Sequence, residues 1–314
     1  MIDVKNLTKE YGTLKAIDNV TFSIKKGEVV GFLGPNGAGK STTMKIITGF
    51  MAPSDGSASV AGFDVFENPI EVKKRIGYLP ETPPVYADQF VTEYLKYVAQ
   101  LKKVPKEKIN SFVDRAIEKT NLGSVRNRLI HHLSKGFKQR VGIAQAIVSD
   151  PEVLILDEPT VGLDPKQVAE IRDLITELKG HHTIILSTHI LPEVQATCEK
   201  VVIISKGKIV AQDTIDNLSK LEKGQGRIFV RLRKEVSDLK SVIAGIDEVM
   251  SVDIGNNNRE WRIDYKGDEE TIDKVSSKIV SNGLGLIELT PSRVDLEDVF
   301  LKLTYGMEKG GKHV

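Results

Sequence analysis

The segment Gly34-Pro35-Asn36-Gly37-Ala38-Gly39-Lys40-Ser41 constrains this chain more than any other. It has the spacing of a phosphate-binding loop, follows the apolar run Val29 to Leu33 and precedes a helical stretch from Thr42 to Thr48. Glycines let backbone N–H groups turn inward on phosphate oxygens, and the N-terminus of the following helix adds a positive dipole end. Lys40 then reaches the outer phosphates and Ser41 holds Mg²⁺. Gly34, Pro35, Asn36, Gly37, Ala38, Gly39, Lys40, Ser41 and Thr42 are the candidate nucleotide ligands.

A second run completes the site. Val153-Leu154-Ile155-Leu156 is an apolar, buried-strand pattern that ends on Asp157 and Glu158, as suits a strand delivering a carboxylate to a metal. Adjacent strand residues face opposite ways. With Asp157 turned to Mg²⁺, Glu158 at the strand end is placed to orient or deprotonate an attacking water, and it is the candidate catalytic base.

From Met1 to about Asp216, short β-branched runs alternate with longer amphipathic stretches, the pattern of an α/β body with a largely parallel sheet. Thr183 to Ser187 and Val201 to Ile204 read as further strands, and Met1 to Asn6 alternates like an edge strand. Between about Pro83 and His132 the periodicity turns helical, as in Val91, Tyr94, Leu95, Val98 and Ala99, which predicts a helical subdomain over about 83–150. The stretch after Leu133 predicts a helix running to Val148. The pairs His131-His132 and His181-His182 read as solvated or loop residues.

A polar, Gly-containing break at 221–226 divides the chain into 1–220 and 221–314. Beyond it the order is βαββαβ: strands Ile228 to Leu232, Val249 to Ile254, Glu260 to Tyr265 and Leu284 to Leu289, with helices Glu235 to Ala244 and Glu269 to Ser281. That order predicts a small ferredoxin-like α+β domain, closed by a helix from Asp295 to Leu303, with Lys309 to Val314 as a frayed terminus.

Composition narrows the functional classes. The 314 residues are 40% hydrophobic, enough to build a core in each of two domains. With 44 Lys and Arg against 43 Asp and Glu, the net charge of +1 argues against a dedicated nucleic-acid partner. Cys198 has no second cysteine to pair with, which points to a reducing compartment and leaves no cysteine cluster for zinc. The start lacks a secretory h-region, and apolar runs such as Val201 to Ile204 fall far short of the ~20 residues that span a bilayer.

Three further motifs carry a resemblance. Leu133-Ser134-Lys135-Gly136-Phe137-Lys138-Gln139-Arg140 resembles the LSGGQ signature of ABC-type ATPases, Val161-Gly162-Leu163-Asp164 is similar to their D-loop, and His189 is similar to their switch histidine. Over Met1 to about Asp216 the chain thus resembles an ABC transporter ATP-binding subunit. The resemblance implies a P-loop NTPase cassette with a RecA-like core, a small antiparallel β subdomain and the helical insertion. It implies ATP and Mg²⁺ as cofactors, with hydrolysis to ADP and phosphate. It also implies a second cassette, identical or not, so that Ser134, Gly136 and Asp164 meet the nucleotide of the partner, His189 reaches the γ-phosphate and Tyr11 stacks on adenine. Lys135 stands where the signature has Gly. Glu81, after Ile76-Gly77-Tyr78-Leu79-Pro80, stands where the family carries its Q-loop Gln; a carboxylate can still ligate metal, so Glu81 joins Ser41 and Asp157 as a candidate Mg²⁺ ligand.

The same resemblance implies a separate membrane-spanning permease subunit and a place on the cytoplasmic face of the plasma (inner) membrane. The ending Val294 to Thr304 resembles the C-terminal extension of bacterial drug, sodium and gliding-motility cassettes, which favours an export-type system. The competing reading is a soluble ABC ATPase acting on ribosome or DNA. Such proteins carry paired cassettes, zinc modules or coiled coils, whereas this sequence has one cassette, one Cys and no sustained heptads. A P-loop GTPase would need an Asn-Lys-x-Asp motif, and none occurs.

Overall fold

The computed structural model describes residues 1–220, 225–255, 257–267, 269–293, 300, 301 and 304. They form two compact units, one of residues up to Ile215 together with the segment from Lys302, the other Asp216–Leu301.

The first unit begins with the hairpin Ile2–Tyr11 (β1) and Leu14–Ile24 (β2). Val29–Leu33 (β3) runs into the glycine loop and Lys40–Ile47 (α1) leaves it, starting two residues before the Thr42 to Thr48 stretch expected. Asp55–Val60 (β4), Phe63–Asp64 (β5), Pro69–Arg75 (α2) and Ile76–Leu79 (β6) follow. The predicted helical layer is Val91–Leu101 (α3), Ile109–Lys119 (α4) and Lys135–Ile147 (α5). Val153–Asp157 (β7), Pro165–Leu178 (α6), Thr183–Thr188 (β8), Leu191–Thr197 (α7), Lys200–Ser205 (β9) and Lys208–Thr214 (β10) complete the alternation, and Ile215–Lys220 (α8) leads onward.

Among the described residues the first unit has two sheets, ordered β2-β1-β4-β5 and β10-β9-β3-β8-β7-β6. The first is antiparallel; in the second, β9, β3, β8, β7 and β6 run parallel and β10 returns antiparallel. Every residue of β3, β7 and β8 is buried, because helices cover both faces of a parallel sheet. The expectation of an edge strand at Met1 to Asn6 is corrected: β1 is paired on both sides, with β2 and β4. Its alternation reports that one face is covered, with Ile2, Val4 and Leu7 packed inward, and is silent on whether its hydrogen-bonding edges are occupied. Those side chains share one core with Phe32, Met44, Ile47 and Ile155, so the two sheets close on α1 as a single hydrophobic layer.

His182 also departs from expectation. It is buried, with Nδ1 2.6 Å from the Pro151 carbonyl, and burial holds its pKa below the usual imidazole value. A carbonyl only accepts, so Nδ1 carries the proton and the ring fixes the entry to β8 as a neutral hydrogen-bonding group. Cys198 is buried too, which pushes its thiol up to about 12.

The second unit is Gln225–Leu232 (β11), Leu239–Val242 (α9), Val249–Ile254 (β12), Glu260–Lys266 (β13), Glu269–Ser281 (α10) and Leu286–Arg293 (β14). Its antiparallel order β12-β13-β11-β14 puts the first and third strands at the centre, as in a ferredoxin-like βαββαβ unit. Ile228, Val230, Trp261, Ile263, Val275 and Ile279 form its core. The helix expected over Glu235 to Ala244 shrinks to a single turn. Asp238 caps it, accepting from the N–H of Lys240 (3.0 Å) and Ser241, and Gly245 at φ +84° lies beyond its end. Val236 instead donates its N–H to the Asn258 carbonyl, 2.9 Å away. Gln225 and Gly226, expected in the break, already belong to β11. Residues 221–224, most of the predicted closing helix Asp295 to Leu303, and Lys309 to Val314 lie outside the described residues.

Gly77 fixes how α5 lies on β6. A Cβ there would stand 2.1 Å from the Ala146 carbonyl oxygen and 2.9 Å from Pro151 Cγ, distances no side chain tolerates. Gly77→Ala is expected to lower unfolding free energy by about 3 kcal/mol, read from urea denaturation of the full chain.

Candidate active site

Strand register builds the site. Leu33 pairs with Thr188 and Ser187 with Asp157, so β3, β8 and β7 end level with one another. The glycine loop, the His189 turn and the Asp157-Glu158 pair therefore emerge side by side at the carboxyl edge of the parallel sheet, where open α/β sheets bind their ligands.

The loop can turn as it does only because of its glycines. Gly37 and Gly39 have φ of 77° and 108°, and a Cβ on Gly34 would meet the Ile204 carbonyl oxygen at 2.3 Å. The loop opens into a cleft of about 400 Å³. Asn36, Gly37, Gly39, Lys40, Ser41 and Thr42 line it from the loop, Glu81, Glu158 and His189 from the neighbouring strand ends, and Ala16 and Val161 complete it.

Lys40 and Glu158 are both nearly buried and lie 3.3 Å apart. The Lys40 ammonium also donates to the carbonyls of Gly34 (2.8 Å) and Pro35 (3.3 Å). Glu158 has left the strand: its φ is +50°, and its N–H donates to the Ser187 carbonyl at 2.8 Å. That left-handed step, unfavourable for a residue with a Cβ, turns the carboxylate toward Lys40 and His189. The expected opposition of Asp157 and Glu158 thus arises from a backbone turn rather than from the pleat. His189 Nδ1 lies 2.9 and 3.1 Å from the two Glu158 oxygens, so the candidate histidine contacts the candidate base.

Asp157 closes the buried side. It accepts from the Ser187 hydroxyl at 2.6 Å and from Ser41, and burial outweighs both bonds to lift its pKa above the usual carboxylate value.

Ser134, Gly136 and Asp164 fall in a different place and do not line this cleft. Ser134 is the N-cap of α5, accepting from the Phe137 N–H, and Asp164 is the N-cap of α6, accepting from the Gln167 N–H at 2.9 Å. A Cβ on Gly136 would sit 2.7 Å from the Gln167 side chain, and one on Gly162 would collide with the Lys135 ammonium. The signature and D-loop motifs therefore make one joint patch. Tyr11 is also absent from the cleft lining: it is half-exposed at the β1–β2 turn, its hydroxyl 2.9 Å from Met51 Sδ and the Lys9 ammonium 5.4 Å above its ring.

Sequence reasoning missed Ser187 and a buried group behind the site. Glu193, in the first turn of α7, accepts from the hydroxyls of Thr160 and Thr188, the latter at 2.9 Å. The only signal was an acid placed where an amphipathic helix turns inward; its partners are uncharged, and one of them, Thr160, is distant in sequence.

Comparison with known proteins gives a consistent picture. Residues 17–161 match the family model described as ABC transporter. The chain is 33% identical to the bacitracin transport ATP-binding protein BcrA of Bacillus licheniformis over 98% of both chains. It is 37% identical to the lantibiotic transport ATP-binding protein SrtF of Streptococcus pyogenes, over 71% of this chain and 95% of that one. Among solved structures it resembles a dimeric bacterial ABC transporter cassette at a TM-score of 0.63 and 26% identity, covering 68% of this chain and 98% of the other.

The buried Asp157 makes a prediction about stability. Its folded pKa lies above its unfolded one, so the native state holds that proton more tightly, and stability is lost as pH rises from the unfolded value through the folded one. Asp157→Asn is expected to raise the thermal midpoint at pH 8 relative to wild type, with a smaller gain at pH 4, read by differential scanning calorimetry.

Proposed function

Because the chain belongs to the ABC transporter ATP-binding protein family, we propose that it is the ATPase subunit of an export-type membrane transporter, with each of its motifs in a defined role. The observation that carries the reading is the grouping of Lys40, Glu158 and His189 at one edge of the glycine-loop cleft. Gly34 through Thr42 cradle the phosphates of ATP. Ser41, Asp157 and Glu81 offer the oxygen donors that suit Mg²⁺, and Ser41 and Asp157 are already hydrogen-bonded to each other. Bound there, Mg²⁺ would neutralise charge on the phosphates.

Lys40 is held by Glu158 and two carbonyls, and a phosphate is a stronger partner than a carbonyl. Nucleotide binding draws Lys40 onto the phosphates and releases the Glu158 carboxylate to accept a proton from water. His189, hydrogen-bonded to Glu158 through Nδ1, orients that carboxylate and presents its other ring nitrogen to the cleft. Ser134, Gly136 and Asp164 stand apart from their own cleft, which is what a head-to-tail cassette dimer requires if they close over the partner's ATP. Tyr11 supplies the adenine face.

The permease subunit docks, in this reading, on a groove of about 500 Å³ beside the Pro80 to Phe90 segment. Ile70 and Leu101 on its rim are each 63% exposed, and Tyr86 and Tyr97 stack edge to face at 5.7 Å. Lys102 pins the groove floor by donating to the carbonyls of Lys73 and Ile76, both at 2.8 Å, and burial pushes its pKa down to about 8. No described helix is long and apolar enough to cross a membrane, so the membrane passage falls to the partner, with this chain on the cytoplasmic face of the inner membrane. BcrA and SrtF are named for bacitracin transport and lantibiotic transport, which favours transport over action on ribosome or DNA. Residues 1–220 act as the cassette and 221–314 as an accessory domain.

Glu158→Gln is expected to keep ATP binding, trap a closed dimer detectable by gel filtration, and lose at least ~100-fold in turnover. Normal hydrolysis in that variant removes Glu158 as the base. Leu101→Glu is expected to leave basal ATPase of the purified chain unchanged while abolishing co-purification with a membrane-spanning permease subunit.

A further inference from the structure

Glu193 is nearly inaccessible to solvent, and the contacts described for it are hydroxyls rather than cations. Core packing alone does not call for a carboxylate there, since an apolar side chain of similar size would avoid its desolvation. What a carboxylate supplies is two acceptor oxygens and no proton. Both Thr160 and Thr188 must donate to it, which fixes the orientation of both hydroxyls. The Thr188 oxygen is then left to accept from the Ile190 N–H at 3.1 Å, so the residues on either side of His189 are clamped. The Thr188 carbonyl meanwhile accepts from the Gly34 N–H at 3.3 Å, where the phosphate loop begins.

The other arm reaches the D-loop. Thr160 follows Glu158 by two residues, and its carbonyl accepts from the Leu163 N–H at 3.1 Å, closing the turn that carries Gly162 and Asp164. A third bond, from the Thr197 hydroxyl to the Glu193 carbonyl at 2.6 Å, ties the same residue along α7.

We infer that Glu193 is a positioning residue for hydrolysis, the buried link that sets the D-loop turn and the His189 turn in one fixed geometry about Glu158. The inference rests on the assignment of Glu158 and His189 made above. Glu193 does not line the cleft, so its removal changes how the base and histidine are aimed and leaves the phosphate contacts in place. Displacement of the D-loop by a partner cassette reaches His189 through Thr160, Glu193 and Thr188.

The test uses the full-length chain, with turnover expressed per ATP-binding site. Glu193→Ala is expected to lower kcat by about tenfold with KM for ATP within about twofold of wild type. Glu193→Gln, which still accepts from one threonine and donates to the other, is expected to recover most of that loss. Thr160→Val and Thr188→Val each lower kcat on their own, and neither lowers it further in the Glu193→Ala background, because the link is already broken. Should Glu193→Ala fail to fold, the two valine variants and Glu193→Gln carry the measurement. Wild-type kcat in both valine variants, a rise in KM that accounts for the loss, or additive losses in the double variants overturn the inference. Glu158→Gln is measured in parallel: normal turnover there removes the base assignment, whereas a Glu193→Ala effect confined to kcat is read independently of it.

Discussion

The level ending of β3, β8 and β7 is the constraint on which the rest of the structure depends. Parallel strands hydrogen-bond in a fixed register, and that register matches Leu33 with Thr188 and Ser187 with Asp157. A slip of one residue on any of the three would move a functional side chain by a strand step and reverse its face. The glycine loop, Glu158 and His189 are thus held together by backbone bonds far stiffer than the side-chain contacts among them. The side chains then refine what the sheet has already arranged.

Charge within the site is managed by sharing. Lys40 serves Glu158 and two loop carbonyls, and Glu158 serves Lys40 and His189, so neither buried charge depends on a single partner. Asp157 has hydroxyl donors in Ser187 and Ser41, and burial dominates its titration. Two adjacent carboxylates therefore differ in kind: one compensated by the Lys40 ammonium and poised to exchange partners, the other kept uncomfortable until a cation reaches it.

Much of this was legible in the sequence, and the reasons differ from segment to segment. The β3, β7 and β8 cores could be read because buried parallel strands are continuous apolar runs, and the glycine loop because its spacing has few other uses. Even the βαββαβ order of the second unit followed from period alone. Most of the failures lie in contacts that local periodicity does not record. β1 read as an edge because alternation does not record who pairs with a strand's edges; His182 read as solvated because its carbonyl partner, Pro151, is far away in sequence; Glu193 went unnoticed because its partners are threonines on two other segments. The helix at Glu235 to Ala244 failed locally, since Asp238 competes for the backbone as a cap and leaves only one turn.

Lys135 departs from the family signature, and the structure shows what accompanies the departure. Its ammonium lies where a side chain on Gly162 would begin, and Gly162 itself sits at φ +69°. The two loops meet at this point through the flexible end of a long side chain. Because a lysine tip can swing aside, what keeps glycine at 162 is its left-handed backbone, and a residue with a Cβ there would be strained whatever stood at 135.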